Sequence, residues 1–458
     1  MDPMKQVKTY YQLIPEKVFQ NLKCIEDLIS PEIKGYSSDN LKEVISIVAC
    51  HIRKDENCTP LKMTFIKKLV PQGDRYLLGL IDLGIIERSG IAIKGETSYR
   101  YSFAPEYFSK YVSIPLRNAK LKRRIEKAQE KLRKEDAKSI RGHSEQVIYL
   151  KQLTIADGYS EFIKSNYTAQ TKQYNDIIGS ATRIINGAII YKRDDTSGRF
   201  HSNITNMAKG LRPFLRINGE PLINIDIKNS QPYLSTILLT DPGKVSWMTK
   251  NPSFALLLQS LKVSLNQDVK NYISLVISGQ LYEYLMSEFT KEGLILTRDE
   301  TKRQVLRILF ARNRSPKYEI NRKARQIFKQ RFPTVHRIFS KVRGSERGDK
   351  FHNFSRFAIL LQRIESYLML DRILKRIYKE LPGTIAVTVH DSIMTGVLTN
   401  NVKAVCKIMI DELTFFVGFA PKIKIERMIE EEGEEEEEKK GERINSNQYD
   451  ATTLVSLN

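Results

Sequence analysis

The sequence predicts an α+β protein of two or three domains, with a small helix-and-ribbon domain in front. Three observations predict this. The chain has 458 residues, enough for two or three domains with ample core and no need of a metal or disulfide staple. Residues 38–112 follow a helix-helix-helix-ribbon pattern. Two apolar strands far apart in the chain each meet an acid, at Asp226 and at Asp391, with helical segments between them.

Composition narrows the function. A hydrophobic fraction of 41% with 9% aromatics fits a globular chain. Cys24, Cys50, Cys58 and Cys406 form no CxxC pair, which argues against a disulfide framework or a zinc ribbon and for a reducing compartment. Apolar runs are short, and the start MDPMKQVKTYYQL has no apolar h-region. A cytoplasmic protein with no membrane partner is therefore expected. Lys and Arg number 74 against 53 Asp and Glu, a net of +21, which points to a polyanion, with nucleic acid ahead of a membrane surface. From Glu426 onward there are eleven acids and four bases, a net of −7, so residues 1–425 carry about +28. The tail 426–458 has little to bury and is expected to be disordered, either as a solubilising segment or as a mimic of DNA charge.

In residues 1–115 three helices are expected near 41–52, 64–70 and 75–83, the last capped by Asp74 and ended by Gly84. Strands near 85–88 and 99–103 follow, with a loop holding Gly90 and Gly95 between them. This order resembles the winged-helix group of DNA-binding domains. The resemblance implies that the third helix enters a groove and the ribbon touches phosphate, with Arg75, Lys94 and Arg100 as contacts. Docking on the rest of the chain or on a protein partner is the other reading.

Residues 116–182 form a charged helical connector, rich in good helix formers with mixed charges at i,i+4. Lys120, Lys122, Arg123 and Arg124 cluster at its start, which would also suit a thumb-like helix lying along a duplex.

Residues 183–425 carry the chemistry. Thr196-Ser197-Gly198-Arg199 precedes an apolar strand over 222–225 that ends in Asp226, followed by Asn229-Ser230-Gln231 and an apolar helix. A strand fixes a carboxylate while the sheet edge leaves coordination positions open. An Asp after a strand is also an ordinary N-cap. Downstream, GTIAVTVHDSIMTGVL reads as a hairpin with His390-Asp391 at its turn. Half-buried acids are costly unless paired or bound to a cation. Two carboxylates on neighbouring strands suit a two-metal clamp for phosphoryl displacement. Between them, Arg298 and Lys302 share a helix face at i,i+4 and Phe310 lies near that face, which suits a triphosphate and a stacked base. Arg303 and Arg307 repeat the spacing on another face.

The order of these motifs resembles the palm and fingers of the A-type DNA polymerases and single-subunit RNA polymerases. Thr196–Arg199 matches their T-G-R element, Asp226 with Ser230-Gln231 their first motif, and Arg298, Lys302 and Phe310-Ala311 their fingers motif. His390-Asp391 matches their last motif, and the segment FAILLQRIESYLMLDRIL resembles their long palm helix, with Gln362 as its glutamine. The resemblance implies a right-hand polymerase with an antiparallel palm sheet and helical fingers and thumb. Asp226 and Asp391 would hold two Mg²⁺ ions, with Mn²⁺ as the alternative. Arg298 and Lys302 would bind the triphosphate, Phe310 would stack on a base, and Arg199, Gln362 and His390 would position the primer strand. The implied partners are a DNA template-primer and nucleoside triphosphates, with replication accessory proteins as further candidates.

The departures bear on the sugar. The fingers motif ends in Phe310-Ala311 rather than Tyr-Gly, and Ser392 replaces the acid often found after His-Asp. Gln231, five residues after Asp226, stands where in that family a bulky residue blocks a ribose 2′-hydroxyl, so the resemblance implies a tilt toward deoxynucleotides. An RNA polymerase or primase on the same palm is the alternative, and a non-catalytic winged-helix DNA-binding replication or regulatory protein is the third reading.

Overall fold

A computed structural model describes residues 9–51, 58–91, 98–136, 140, 142–169, 171–310, 318–343, 356–397 and 401–427. The chain is a mixed α+β protein whose sheets are all antiparallel in their described pairings. Its described residues divide into two compact units, the first within 9–192 and 201–221, the second within 193–200 and 222–427.

The first unit begins with strand Tyr11–Pro15, paired to Tyr111–Pro115. Helices Ser38–His51, Met63–Leu69 and Gly73–Asp82 follow. Beside them is a three-stranded sheet in the order Thr59–Pro60, Arg100–Phe103, Ile86–Ser89. Val44, Val48, Ile66, Tyr76, Leu77 and Leu80 are buried in one core, as the helical spacing of their apolar residues requires. One expectation is corrected. Asp74 does not cap the third helix; Gln72 occupies the cap position in a left-handed conformation without a side-chain bond, and Asp74 sits in the first turn, paired to Lys67 at 2.9 Å. The tight turn after Val70 takes the chain into the helix earlier than the Asp74 side chain could use. Gly84, with φ +69, ends the helix in the left-handed position that favours glycine. The connector is helical over Ala119–Asp136, anchored by buried Leu121 and Ile125.

The sheet of the second unit is built on the strand Glu220–Ile227. From Leu222 on, this strand pairs on one side with Ser392–Gly396, which makes a hairpin with Ala386–Val389, and on the other with Ile423–Arg427. Leu222, Ile223, Asn224, Ile225 and Ile227 are all buried, so the strand is covered on both faces. Helices surround it. Among them, Tyr272 meets Phe332 edge-on at 5.4 Å and Phe339 at 5.9 Å, an aromatic core under the helices Gln267–Ile277 and Pro333–Arg343. A long helix runs through Arg356–Ser366, Tyr367–Leu374 and Lys375–Glu380, and its middle stretch is wound as a π-helix. No described helix is long and apolar enough to cross a membrane.

Candidate active site

Asp226 lies one residue before the end of the central strand, opposite Ser392 on one neighbour and Lys424 on the other. Asp391 immediately precedes Ser392, so the strand pairing brings the two aspartates to one end of the sheet. Both are half-buried. The hairpin turn has two residues, His390 and Asp391, and His390 has φ +58. Glycine is usual where the first turn residue needs a positive φ, and a non-glycine residue there costs on the order of 1–3 kcal/mol. The Ser392 hydroxyl donates to the Val389 carbonyl at 2.9 Å and closes the turn. Strain is thus held where the acid is presented.

Beneath the pair lies a group absent from the sequence reading. Glu365, on the long helix, has a side chain only 1% exposed. Arg199 grips it with two bonds, Nε to Oε1 at 2.8 Å and Nη2 to Oε2 at 2.9 Å, and the Gln231 amide also donates to Oε2. Burial pushes the Glu365 carboxyl up to about 7, and the negative charge of Asp391 pushes the same way against the pull of Arg199. Glu365 therefore couples three of the sequence candidates: Arg199, Gln231 and Asp391.

The Thr196-Ser197-Gly198-Arg199 segment is a turn built to deliver Arg199. Asp194 accepts from the backbone of Thr196 at 2.9 Å and of Ser197 at 2.6 Å. Gly198 then adopts φ +73, and its carbonyl accepts from Arg193 Nε at 2.9 Å. Arg363 donates to the Thr196 carbonyl at 2.7 Å, and Arg193 holds Asp371 of the π stretch at 2.6 Å.

The cations gather on the other side of Asp226. Burial lowers the Lys228 ammonium, and the positive charges of Lys422, Lys424 and Arg298 lower it further. Arg298 opens helix Arg298–Phe310, bonds Glu283 at 2.6 Å and stacks over Tyr282 at 5.6 Å. Tyr282 in turn feels the charge of Asp391. Lys302 is exposed one turn along. Phe310 ends the same helix, about 18 Å from its start by the helical rise, against Phe357 at 6.5 Å. Gln362 is half-buried one turn before Glu365.

In the first unit, Arg75 and Arg100 are exposed. Lys94, Ala311 and the acidic residues 430–438 lie outside the described residues. Sequence reading missed Glu365, Lys228, Lys422 and Lys424. A charge at Glu365 inside the apolar face of its helix was the one available signal.

Among the described residues no group of three or more His, Cys, Asp and Glu gathers as a metal cage. Two carboxylates with positions left for phosphate and water are nevertheless a donor set that Mg²⁺ takes, since it rarely uses an all-protein cage. Three successive residues beside Asp226 add to this. Asn229 Nδ2, Ser230 Oγ and Gln231 Oε1 are buried without a hydrogen-bond partner among the described residues. Buried polar groups are normally satisfied, and an exception needs an explanation such as a ligand.

No family model matches the chain. No curated protein sequence matches it either. Among solved structures it is similar to the POL domain of Pol1 from M. smegmatis, in complex with DNA primer-template and dNTP. Identity is 12% and the TM-score 0.28, over 91% of this chain and 66% of that one. So loose a likeness lends no weight to any residue.

Proposed function

We propose that this protein is a template-directed nucleotidyltransferase, a DNA polymerase that extends a primer 3′-hydroxyl with deoxynucleoside triphosphates. The observation that carries the reading is the pairing of Asp226 with Ser392, which sets Asp226 beside Asp391 at one end of an antiparallel sheet. The cations Lys228, Arg298, Lys422 and Lys424 stand on the flank of that pair, where a triphosphate would need them.

Asp226 and Asp391 would hold Mg²⁺, which when bound lowers the pKa of a hydroxyl nucleophile and offsets phosphate charge. The remaining roles belong to the chain itself. Lys302 and Arg298 bind the β- and γ-phosphates, and Arg298 is kept on station by Glu283 and the face of Tyr282. Gln231, fixed through its amide by Glu365, leaves its carbonyl oxygen toward the nucleotide sugar. Arg199 is spent on Glu365, so its part is to position Gln231 rather than to touch the primer. His390 holds the turn that presents Asp391, and Gln362 and Phe310 lie along the strand path. In the first unit, the helix-and-ribbon element of residues 38–103 is read as a winged helix.

Primer extension by the purified protein with Mg²⁺ and either dNTPs or NTPs tests this. Incorporation of dNTPs in template order is expected, with Gln231→Gly raising NTP use. No extension with either set of nucleotides would refute the activity, and NTP preference in the wild type would move it to an RNA polymerase.

A further inference from the structure

The connector helix and the helix Met63–Leu69 together line a groove of about 720 Å³. Its charged lining consists of Lys68, Lys120, Arg123, Arg124, Lys127 and Lys131, with no acid among the lining residues. All six are exposed. Lys120, Arg124, Lys127 and Lys131 follow at steps of four, three and four, so each returns to the same helix face. Leu121 and Ile125 are buried in the core and fix that face outward. Arg124 donates to the Lys67 carbonyl at 3.0 Å, which steadies it without neutralising it. The five connector-helix cations that line the groove, Lys120, Arg123, Arg124, Lys127 and Lys131, have no carboxylate partner among the described side chains.

The third helix, where sequence places nucleic-acid contact, is less suited. Its only cation, Arg75, stands next to Asp74, which is paired to Lys67.

We propose that this groove binds the phosphate backbone of double-stranded nucleic acid without reading its sequence. Lys120 to Lys131 spans about 16 Å of helix, the axial length of nearly five phosphates on one strand. No lining residue is aromatic, so the groove offers no platform on which single-stranded bases could stack. The proposal shares its partner class with the polymerase reading but uses none of its chemistry.

The test is fluorescence anisotropy on the full chain with a labelled 20-base-pair duplex and the matching single strand, in EDTA without nucleotide, across a salt series. Each phosphate contact adds about 0.9 to the slope of log affinity against log salt. The triple variant Lys120→Ser/Arg124→Ser/Lys127→Ser is expected to lower that slope by about 3 and duplex affinity at least tenfold at 0.1 M salt. Lys127→Gln alone should lower the slope by about 1, and Lys127→Arg should restore it, which separates lost charge from lost folding. An unchanged slope in Lys127→Gln would overturn the proposal, as would tighter binding of the single strand than of the duplex. Because the binding assay contains no divalent cation, its failure leaves the carboxylate chemistry standing, and a failed primer extension leaves the groove standing.

Discussion

Replacing Glu365 with glutamine should flatten the pH dependence of stability. The carboxyl is 1% exposed and is carried from its ordinary 4.5 to about 7, chiefly by burial. A shift of that size favours the protonated form in the folded state by about 3 kcal/mol. The sign follows from the folded value being the higher. Below pH 4.5 the group is protonated folded and unfolded, and the stabilisation is fully present. As pH rises from 4.5 through 7 the unfolded chain ionises first, and about 3 kcal/mol is lost. Above 7 the loss is constant. The amide introduced by Glu365→Gln cannot titrate, keeps the size of the side chain and still offers an acceptor to Arg199. Urea unfolding of both proteins from pH 4.5 to 8.5 gives the difference directly. The variant should gain about 3 kcal/mol relative to the wild type over that range. A difference that stays constant with pH would refute the idea that Glu365 is a buried, uphill carboxylate. The same substitution should reduce extension, because Gln231 and Arg199 lose the anion that orients them.

Three further outcomes follow from the geometry. His390→Gly should relieve the positive φ and stabilise the fold by up to about 1 kcal/mol in thermal melts while extension falls; a destabilised variant would deny that strain is stored there. Gly198→Ala should cost about 1–2 kcal/mol, because φ +73 is strained for any side chain, and a neutral result in urea titrations would contradict the turn geometry. Arg298→Ala and Lys302→Ala should each lower kcat/KM for the nucleotide by roughly ten- to a hundredfold, the worth of a charge-assisted bond, and unchanged steady-state kinetics would remove them from the phosphate site.

The aspartates could be found in the sequence because the strands around them announce themselves. Leu222–Ile225 is an apolar run broken only by Asn224, and the alternation in 384–397 is interrupted only by His390-Asp391. The antiparallel partners of the central strand could not be read, because register depends on contacts about 170 to 200 residues apart. Glu365 was hidden for a related reason. On a helix wheel it is one acid among apolar neighbours, and only tertiary contacts with Arg199 and Gln231 reveal it as the floor of the site. Lys422 and Lys424 belong to the end of the chain's described part, where charges look like ordinary solvation until Lys228 is placed beside them. At Asp74 local chemistry suggested a cap, and the left-handed Gln72 took the position instead.

The central claim is that Asp226 and Asp391 act together in nucleotidyl transfer. Single-turnover primer extension by Asp226→Asn, with duplex binding measured in parallel, tests it most directly. Loss of several kcal/mol of transition-state stabilisation predicts a rate reduced by at least about a hundredfold with binding retained. Extension at the wild-type rate would contradict the claim.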